Sequence, residues 1–397
     1  MVTRSDYLDL LAKWQDKHVI KVITGIRRCG KSTLLQQFRE ELYQKGVEEH
    51  QVVWLNFEDL DNEPYLDYKV LYDYVKGRLQ QGRMNYLFFD EIQMVENFQK
   101  VLDSLFLLDN VDLYVTGSNA YLLSGEIATL LTGRYVEIKM YPFSFREFMS
   151  ALPASTSPET AYRYYTQFGA FPYVLQLNGD KRLTDDYLRG LYSTIVLKDV
   201  VARKKISDVT MLESVVRFLS DNIGNLTAIK RISDAMTSSG RKISPHTVET
   251  YISALADSYI FYPVSRYDAK GLQYLQNGQK YYLADMGLRN IIIGTKTGDL
   301  GHVLENVVYL ELLRRGGEVY VGKSGKAEVD FVVIRGEAKE YYQVSLSVRD
   351  SATLERELAP LQSISNHYPK YLLCLDNDPD VFHDGIRQMY VLDWLLG

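Results

Sequence analysis

The first 150 residues alternate between short apolar runs and amphipathic segments in which apolar side chains recur every three or four positions. The amphipathic pattern predicts helices at residues 5–16, with Leu8 and Leu11 on one face, and at Lys31–Lys45. The apolar runs predict five strands, at His18–Thr24, Val52–Phe57, Tyr86–Phe89, Leu113–Thr116 and Tyr135–Met140. Strands that alternate with helices in this way predict a parallel sheet covered on both faces.

The pattern changes after residue 150. The segment Ala151–Pro158 has the composition of a linker, and the stretch that follows has helical periodicity up to Asp221. Two short helices and an aromatic strand pair then follow the order of a winged helix, at Thr227–Met236, Ser244–Asp257, Tyr259–Tyr267 and Lys280–Leu283. Helices and strands are mixed again from Gly301 to Gly397. We therefore predict four parts, at 1–150, 151–221, 222–300 and 301–397.

Composition narrows the class of protein. The chain has 397 residues, 46% of them hydrophobic, and a net charge of -6, which argues against a surface coated with nucleic acid. Its two cysteines, Cys29 and Cys374, suggest no disulfide framework, so we expect a cytoplasmic protein. No apolar run reaches the roughly 20 residues of a membrane span, so we expect no membrane partner.

One segment carries a specific chemical signal. Residues 25–32 read GIRRCGKS, which matches the pattern G-x-x-x-x-G-K-[ST] between a predicted strand and a predicted helix. Backbone N–H groups in such a loop surround a phosphate, Lys31 reaches the β- and γ-phosphates, and the Ser32 hydroxyl joins the shell of a magnesium ion. We predict ATP and Mg²⁺ as cofactors, held by Gly25, Arg27, Arg28, Cys29, Gly30, Lys31, Ser32 and Thr33.

Polar residues at two further strand ends predict the rest of the site. Asp90 would bind Mg²⁺, and Glu91 stands where a general base polarises water. If Leu113–Thr116 lies between the Asp90 strand and the loop strand, Asn119 or Ser118 senses the γ-phosphate; the alternative is an ordinary turn. Arg134 is either a surface residue or an arginine finger, acting within its own chain or on a neighbouring subunit.

These motifs resemble the AAA-type P-loop ATPases of bacteria and archaea that carry a C-terminal domain of unknown function. The resemblance rests on the loop, on DEIQ at 90–93, on TGSN at 116–119 and on YPFSFREF at 141–148. It implies an extra strand between the loop strand and the acidic strand, and a catalytic role for Glu91. Later segments resemble the family's signatures, although Ala170 replaces a glycine in the lid motif; they are FGAFP at 168–172, LADMGL at 283–288, LEN at 304–306 and EVDF at 328–331.

The resemblance gives each predicted part an expected role. We expect residues 1–150 to be the ATPase core, residues 151–221 to be a helical lid and residues 222–300 to be a winged helix. Within the lid, Phe171 and Pro172 either cover the nucleotide or only turn the chain. The helix predicted at Ser244–Asp257 contains no arginine or lysine, although basic residues such as Arg203 and Arg241 lie in the surrounding segment. DNA is therefore a candidate partner alongside use of this unit as a lid or protein contact.

The last part resembles the restriction-endonuclease-like fold. Glu305 on a helix, Asp330 on a strand and Gln343 on the next strand match its metal-binding pattern, but Ser345 replaces the lysine that helps to activate water. Either Lys323 or Lys326 takes over that role, or the domain is a degenerate nuclease without activity. The alternative for Asp330 is a buried, hydrogen-bonded structural acid. We favour the degenerate domain.

The whole pattern predicts an ATPase that couples turnover of Mg-ATP to conformational change, acting on DNA in one version. The alternative is a slow nucleotide-gated switch in signalling or defence that binds ATP and a protein partner. Both a monomer and a homo-oligomer are compatible with the sequence.

Overall fold

The computed structural model describes residues 2–397 apart from 119, 121–130, 132, 203, 269–272 and 326, and apart from the side chains of 273–277 and 297. These residues form two compact units, Met1–Pro142 with Asp257–Tyr259, and Phe143–Ala256 with Ile260–Gly397. The first boundary thus precedes the position predicted at residue 150. The reason is packing: the ring of Phe145 contacts those of Tyr162 and Tyr165, which belong to the second unit.

The first unit is built of strands and helices that alternate along the chain. Its strands are β1 (Ile20–Thr24), β2 (Val52–Asn56), β3 (Asn85–Asp90), β4 (Val111–Gly117) and β5 (Tyr135–Lys139). Its helices are α1 (Ser5–Trp14), α2 (Lys31–Gln44), α3 (Tyr68–Lys76) and α4 (Phe98–Phe106). The predicted strands are all present, with ends that differ by a few residues.

All five strands run parallel, in the order β2-β3-β4-β1-β5. The strand β4 therefore lies between β1 and β3, which confirms the extra strand that the family resemblance implied. Residues such as Val22, Leu87 and Val115 are fully buried in this sheet. Burial on both faces explains why β1, β3 and β4 are largely apolar runs rather than alternating ones. The carboxyl ends of β1, β3 and β4 lie at one edge of the sheet, where open α/β sheets bind ligands.

The second unit contains the remaining elements. Its helices are α5 (Phe145–Ser150), α6 (Pro158–Phe168), α7 (Lys181–Thr194), α8 (Val209–Asp221), α9 (Ile229–Ser238), α10 (Pro245–Asp257), α11 (Met286–Ile293), α12 (Leu300–Arg314), α13 (Ser351–Gln362) and α14 (Val391–Leu396). Its strands are β6 (Phe261–Asp268), β7 (Gln273–Leu283), β8 (Glu318–Ser324), β9 (Ala327–Arg335), β10 (Ala338–Ser345), β11 (Lys370–Cys374), β12 (Val381–His383) and β13 (Ile386–Tyr390). After α7 the helix continues over Ile195–Ala202 with π-helical hydrogen bonding.

The strands of the second unit form one sheet, in the order β12-β13-β11-β10-β9-β8-β6-β7. The antiparallel pair β6–β7, which the sequence suggested as the wing of a winged helix, lies at the edge of this sheet because β6 pairs in parallel with β8. One continuous sheet therefore contains strands from both of the predicted parts, 222–300 and 301–397. This pairing is non-local and leaves no pattern in the sequence.

Polar side chains fix the starts of several helices in this unit. Ser144 and Glu147 form a reciprocal capping box at α5, and Ser157 caps α6 immediately before Pro158. Asp285 caps α11 by accepting a hydrogen bond from Leu288 N at 3.0 Å. Within the described residues, no helix combines the length and the apolar character that crossing a bilayer requires.

Candidate nucleotide site and a second charged cluster

The predicted phosphate loop follows β1 and leads directly into α2. Gly25 has a φ of +148°, and a Cβ at this position would stand 2.1 Å from the carbonyl oxygen of Met140. Gly30, at the start of α2, has a φ of +105°. A side chain is disfavoured at both positions, which accounts for the two glycines of the motif. The free N–H groups at the start of α2 make this end of the helix suitable for a phosphate.

Arg4, which the sequence analysis missed, anchors the loop. Its guanidinium is buried and donates to the carbonyl oxygens of Cys29 at 3.1 Å and Tyr141 at 3.0 Å. It also lies 4.8 Å from the ring centre of Tyr7, within range of a cation–π contact. No local pattern could reveal this role, because both acceptors are backbone carbonyls distant in sequence. The same packing buries Cys29 completely and raises the pKa of its thiol.

The predicted phosphate-binding side chains differ in their surroundings. Lys31 is buried, and its Nζ donates to the carbonyls of Gly25 at 3.1 Å and Ile26 at 3.4 Å. Ser32 and Thr33 are half-buried beside it at the start of α2. The side chain of Arg27 pairs with Glu58 at 2.8 Å, whereas Arg28 is exposed in a left-handed conformation. The loop therefore gathers the whole predicted set of eight residues, with Arg28 at its outer surface.

Asp90 and Glu91 lie at the carboxyl end of β3, beside the loop. The hydroxyl of Thr116 on β4 donates to Asp90 Oδ1 at 2.5 Å and accepts from Glu91 N at 2.9 Å. Glu91 has a φ of +55°, a left-handed backbone conformation that residues other than glycine rarely adopt. The hydrogen bond from Glu91 N to the Thr116 hydroxyl helps to hold this conformation. Its carboxylate is 3.8 Å from Lys31 Nζ and accepts a short hydrogen bond from Gln93 Nε2. Thr116 and Gln93 thus position the predicted magnesium ligand Asp90 and the predicted base Glu91.

The pKa values of Asp90 and Glu91 are shifted in opposite directions. Burial raises the pKa of Asp90 above its usual value, although hydrogen bonds from Ser32 and Thr116 oppose the shift. Burial also acts on Glu91, but the charge of Lys31 and the hydrogen bond from Gln93 outweigh it and lower the pKa of Glu91. Glu91 is therefore an ionised carboxylate at neutral pH, as a general base must be.

The residues at this edge fit a magnesium ion. Asp90 Oδ2 is buried, and no group among the described residues forms a hydrogen bond with it. An unpaired carboxylate oxygen next to Ser32 is the kind of hard oxygen ligand that Mg²⁺ takes. Ser118 Oγ is also buried without a hydrogen-bond partner in the described part of the chain. Asn119, the other predicted sensor, lies outside the described residues.

Arg134 is not in the nucleotide site of its own chain. It precedes β5 and its carbonyl accepts from Ile20 N at 2.8 Å, so it lies where β1 begins, whereas the loop lies where β1 ends. A strand of this length separates the two edges by about 16 Å. The guanidinium instead pairs with Asp103 and packs 5.6 Å from the ring centre of Phe106. Because Arg134 precedes a strand that runs parallel to β1, its backbone lies at the edge of the sheet opposite the phosphate loop.

Glu305 and Asp330, two of the three predicted metal ligands of the second unit, meet around a lysine that the sequence analysis assigned to the winged helix. Lys280 Nζ on β7 is 2.8 Å from Glu305 Oε1, 2.8 Å from Glu328 Oε1 and 3.6 Å from Asp330 Oδ1. We call Lys280, Glu305, Glu328 and Asp330 the Lys280 cluster. Burial disfavours the charged form of Lys280, but attraction to the three carboxylates outweighs this effect and raises the pKa of Lys280. Lys280 became visible as a site residue only through the pairing of β6 with β8.

Other residues predicted for that site lie around the cluster. Gln343 accepts from Asp330 N at 3.3 Å and donates to Glu357 Oε2 at 2.8 Å, so its amide is used by the protein. Ser345 donates to the carbonyl of Ser347. Lys323 is paired with Glu328 in the register of β8 and β9, and Lys326 lies outside the described residues. Among the described residues, no group of three or more potential ligands is arranged to hold a metal ion.

Two motifs of the second unit that are distant in sequence interlock. Asp285 Oδ2 accepts from Ala170 N at 2.5 Å, and a Cβ on Gly169 would stand 2.3 Å from Asp285 Oδ1. A Cβ on Gly287 would stand 2.4 Å from the carbonyl oxygen of Phe168. Both glycines are therefore required by the close approach of the FGAFP and LADMGL segments. Asp285 is fully enclosed, and burial raises its pKa to about 6.

Comparison with known proteins agrees with this architecture. A family model described as an AAA domain matches residues 17–149, and a model for a domain of unknown function, DUF8612, matches residues 159–299. An uncharacterized protein of Haemophilus influenzae is 38% identical over 100% of this chain and 99% of its own length. The chain belongs to this family of AAA-type P-loop ATPases. An uncharacterized protein of Methanocaldococcus jannaschii is 30% identical over 85% of the chain and 77% of its own length.

A solved structure supports the fold of this AAA-type protein. The Walker-type ATPase PABY2304 of Pyrococcus abyssi superposes with a TM-score of 0.51 over 74% of this chain and 96% of its own. The two sequences are 16% identical, so the likeness concerns the fold. The family resemblance drawn from the loop and the DEIQ segment is confirmed at this level, as an AAA-type P-loop ATPase with a C-terminal domain of unknown function.

Proposed function

We propose that this AAA-type protein hydrolyses ATP in the presence of Mg²⁺ and uses the reaction to change its conformation. One observation carries the proposal. The edge of the sheet brings a phosphate-loop lysine, an unpaired carboxylate oxygen and an ionised glutamate together, with Lys31 Nζ 3.8 Å from Glu91 Oε1 and Asp90 Oδ2 without a partner among the described residues. A site that only bound nucleotide would not need the ionised glutamate.

The present contacts suggest how the residues change roles when ATP binds. Lys31 Nζ donates to two backbone carbonyls, which a phosphate oxygen would replace with a stronger, charge-assisted acceptor. Its attraction to Glu91 then weakens, and the carboxylate becomes available to take a proton from the attacking water. Ser32 and Asp90 would hold Mg²⁺, which neutralises charge on the phosphates.

The test compares three variants of the full chain. Lys31→Ala should lose affinity for a fluorescent ATP analogue, whereas Glu91→Gln should bind it normally and hydrolyse ATP at least about a hundredfold more slowly, because only the base is removed. Glu96→Gln, the same change at an exposed residue nearby, should retain wild-type turnover. Normal turnover in both Lys31→Ala and Glu91→Gln would refute the proposed site.

A second candidate function is a slow nucleotide-gated switch. It is favoured by the contacts of Glu91, which is held by both Gln93 and Lys31 without nucleotide. A switch would turn over less than about once per minute, while ATP binding alone would change the pattern of limited proteolysis. The Glu91→Gln variant separates the two functions. In a switch it shows the same ATP-dependent proteolysis as the wild type, and in a motor it is trapped in the ATP-bound pattern.

The role of the second unit is also a proposal. We propose a helical lid at 151–221, a winged helix at 222–300 and a mixed α/β domain at 301–397, the last two sharing one sheet. Arg217 and Arg241 donate to carbonyls of their own chain, at Ile292 and Thr210, which favours a lid or protein contact over a DNA contact. The ATPase rate with single-stranded, double-stranded and branched DNA at low salt tests this, since DNA binding is strongest there. Stimulation by any of them would favour the DNA-acting version.

A further inference from the structure

The Lys280 cluster is built from three separate elements. Lys280 comes from β7, Glu305 from α12, and Glu328 and Asp330 from β9. The side chains of Lys280 and Glu305 are 4% and 9% exposed, so the central pair is withdrawn from water. A buried charge must be compensated, and each carboxylate here has the same nearby cation.

The carboxylate oxygens that contact Lys280 are the atoms that would have to bind a metal ion at this position. Glu305 Oε1 already accepts from Lys280 Nζ at 2.8 Å and from the hydroxyl of Tyr282 at 2.5 Å. Asp330 Oδ2 accepts from Val344 N at 2.9 Å, and Gln343 is engaged with Glu357. A divalent ion takes six or more oxygen ligands, and the ammonium group stands where it would be centred. The residues present therefore do not fit a metal ion.

We propose that the ammonium group of Lys280 takes the place of a divalent cation in this domain, so that the native centre is metal-free. Lys280 supplies a positive charge and three N–H donors to carboxylates that would otherwise have to bind a metal. Its removal uncovers a site for a divalent cation among Glu305, Glu328 and Asp330. The inference concerns the second unit and does not depend on ATP hydrolysis.

The physical reason lies in the cost of burying unpaired charge. Removing one partner of a buried ionic network leaves the others without compensation, which is strongly destabilising. In Lys280→Met an unbranched side chain of similar length is retained and the charge is lost, leaving the three carboxylates close together. Carboxylate oxygens that converge without a cation are ligands for Mn²⁺, Mg²⁺ or Ca²⁺.

The experiment uses nucleotide-free full-length protein and Mn²⁺ as the probe. Thermal unfolding and the electron paramagnetic resonance signal of free Mn²⁺ are measured for the wild type, Lys280→Met, Lys280→Met/Glu305→Gln and the control Lys339→Met. Lys339 is a suitable control because its Nζ donates to the hydroxyl of Tyr267, away from the cluster. Any Mn²⁺ held at the nucleotide site is common to all four proteins.

We expect Lys280→Met to unfold at a lower temperature than the wild type and to recover by roughly 5 °C at saturating Mn²⁺. It should bind one more Mn²⁺ than the wild type, and the double variant should lose this additional ion. If Lys280→Met folds only when refolded with Mn²⁺, the proposal is also supported. It is overturned if the wild type binds a Mn²⁺ ion that the double variant lacks, or if Lys280→Met gains neither binding, stability nor refolding from Mn²⁺.

Discussion

Asp90 and Glu91 are adjacent carboxylates whose surroundings set them apart. Asp90 is an interior acid with a raised pKa and one unpaired oxygen, whereas the pKa of Glu91 is lowered by Lys31 and Gln93. Pairs of acids with pKa values pushed in opposite directions are a mark of divided chemical roles. The division here suits one residue that binds a cation and one that remains a base.

Gln93 should be a positioning residue for Glu91. Its Nε2 donates to the carboxylate, whose backbone already has an unfavourable φ, so Gln93→Ala should let the side chain leave its catalytic orientation. We expect kcat for ATP to fall roughly tenfold while KM stays within about twofold, because orientation matters in the transition state. Gln44→Ala, at an exposed position on α2, serves as the control in steady-state assays. An increase in KM at constant kcat would point to a role in binding instead.

At the level of single residues, local motifs were predictable and distant partners were not. Lys31, Ser32, Asp90 and Glu91 stand in short patterns whose chemistry follows from the order of the residues. Arg4 and Lys280 escaped notice because their partners lie far away in the sequence and are brought close only by strand order. A lysine in an aromatic strand carries no sign that three carboxylates will surround it.

At the level of elements, the FGAFP and LADMGL segments act as one structural joint. Gly169 and Gly287 permit the approach, and Asp285 accepts from the backbone of both segments. Burial explains the raised pKa of Asp285, since the backbone donors and the charge of Arg314 oppose the shift only in part. The joint therefore contains an acid that titrates close to neutrality.

The joint makes stability depend on pH. The pKa of Asp285 is about 6 in the folded protein and near 3.8 when unfolded, so its protonated form favours folding and that contribution is lost as the pH rises through 6. Relative to Asp285→Asn, the wild type should gain about 1 kcal/mol of unfolding free energy between pH 7 and pH 5. Urea unfolding at both pH values measures it. Equal changes in the two proteins would contradict the assignment.

Elements of the first unit were easier to predict than those of the second. The strands β1, β3 and β4 are buried along their whole length, and the extra strand β4 was placed correctly through the family resemblance. In the second unit, β6 and β7 were predicted as strands, but their membership in the large sheet depends on the pairing of Arg266 with Val321. The strands β12 and β13 and the helix α14 are too short to give a clear period and were missed.

For the whole molecule, the proposed coupling has a measurable consequence. Nucleotide should slow hydrogen exchange at 25–33 and 90–93, where the ligand is predicted to bind. If hydrolysis drives the second unit, exchange at 168–172 should also differ between the ATP-bound Glu91→Gln variant and the ADP-bound wild type. The nucleotide-binding variant Lys31→Ala provides the baseline. Changes confined to the first unit would contradict coupling while leaving nucleotide binding intact.

The anchoring of the phosphate loop by Arg4 has a consequence for biosynthesis. The guanidinium joins Cys29 to Tyr141, and β1 is completed by β4 and β5 on its two sides, so the loop is assembled from the beginning and the end of the segment Met1–Pro142. A nascent chain that already carries the whole GIRRCGKS segment lacks the hydrogen bond between Arg4 and Tyr141, which helps to anchor the loop, until Tyr141 has left the ribosome. Capture of ATP during translation should therefore begin only after the fifth strand emerges, and its onset would report completion of the five-stranded sheet.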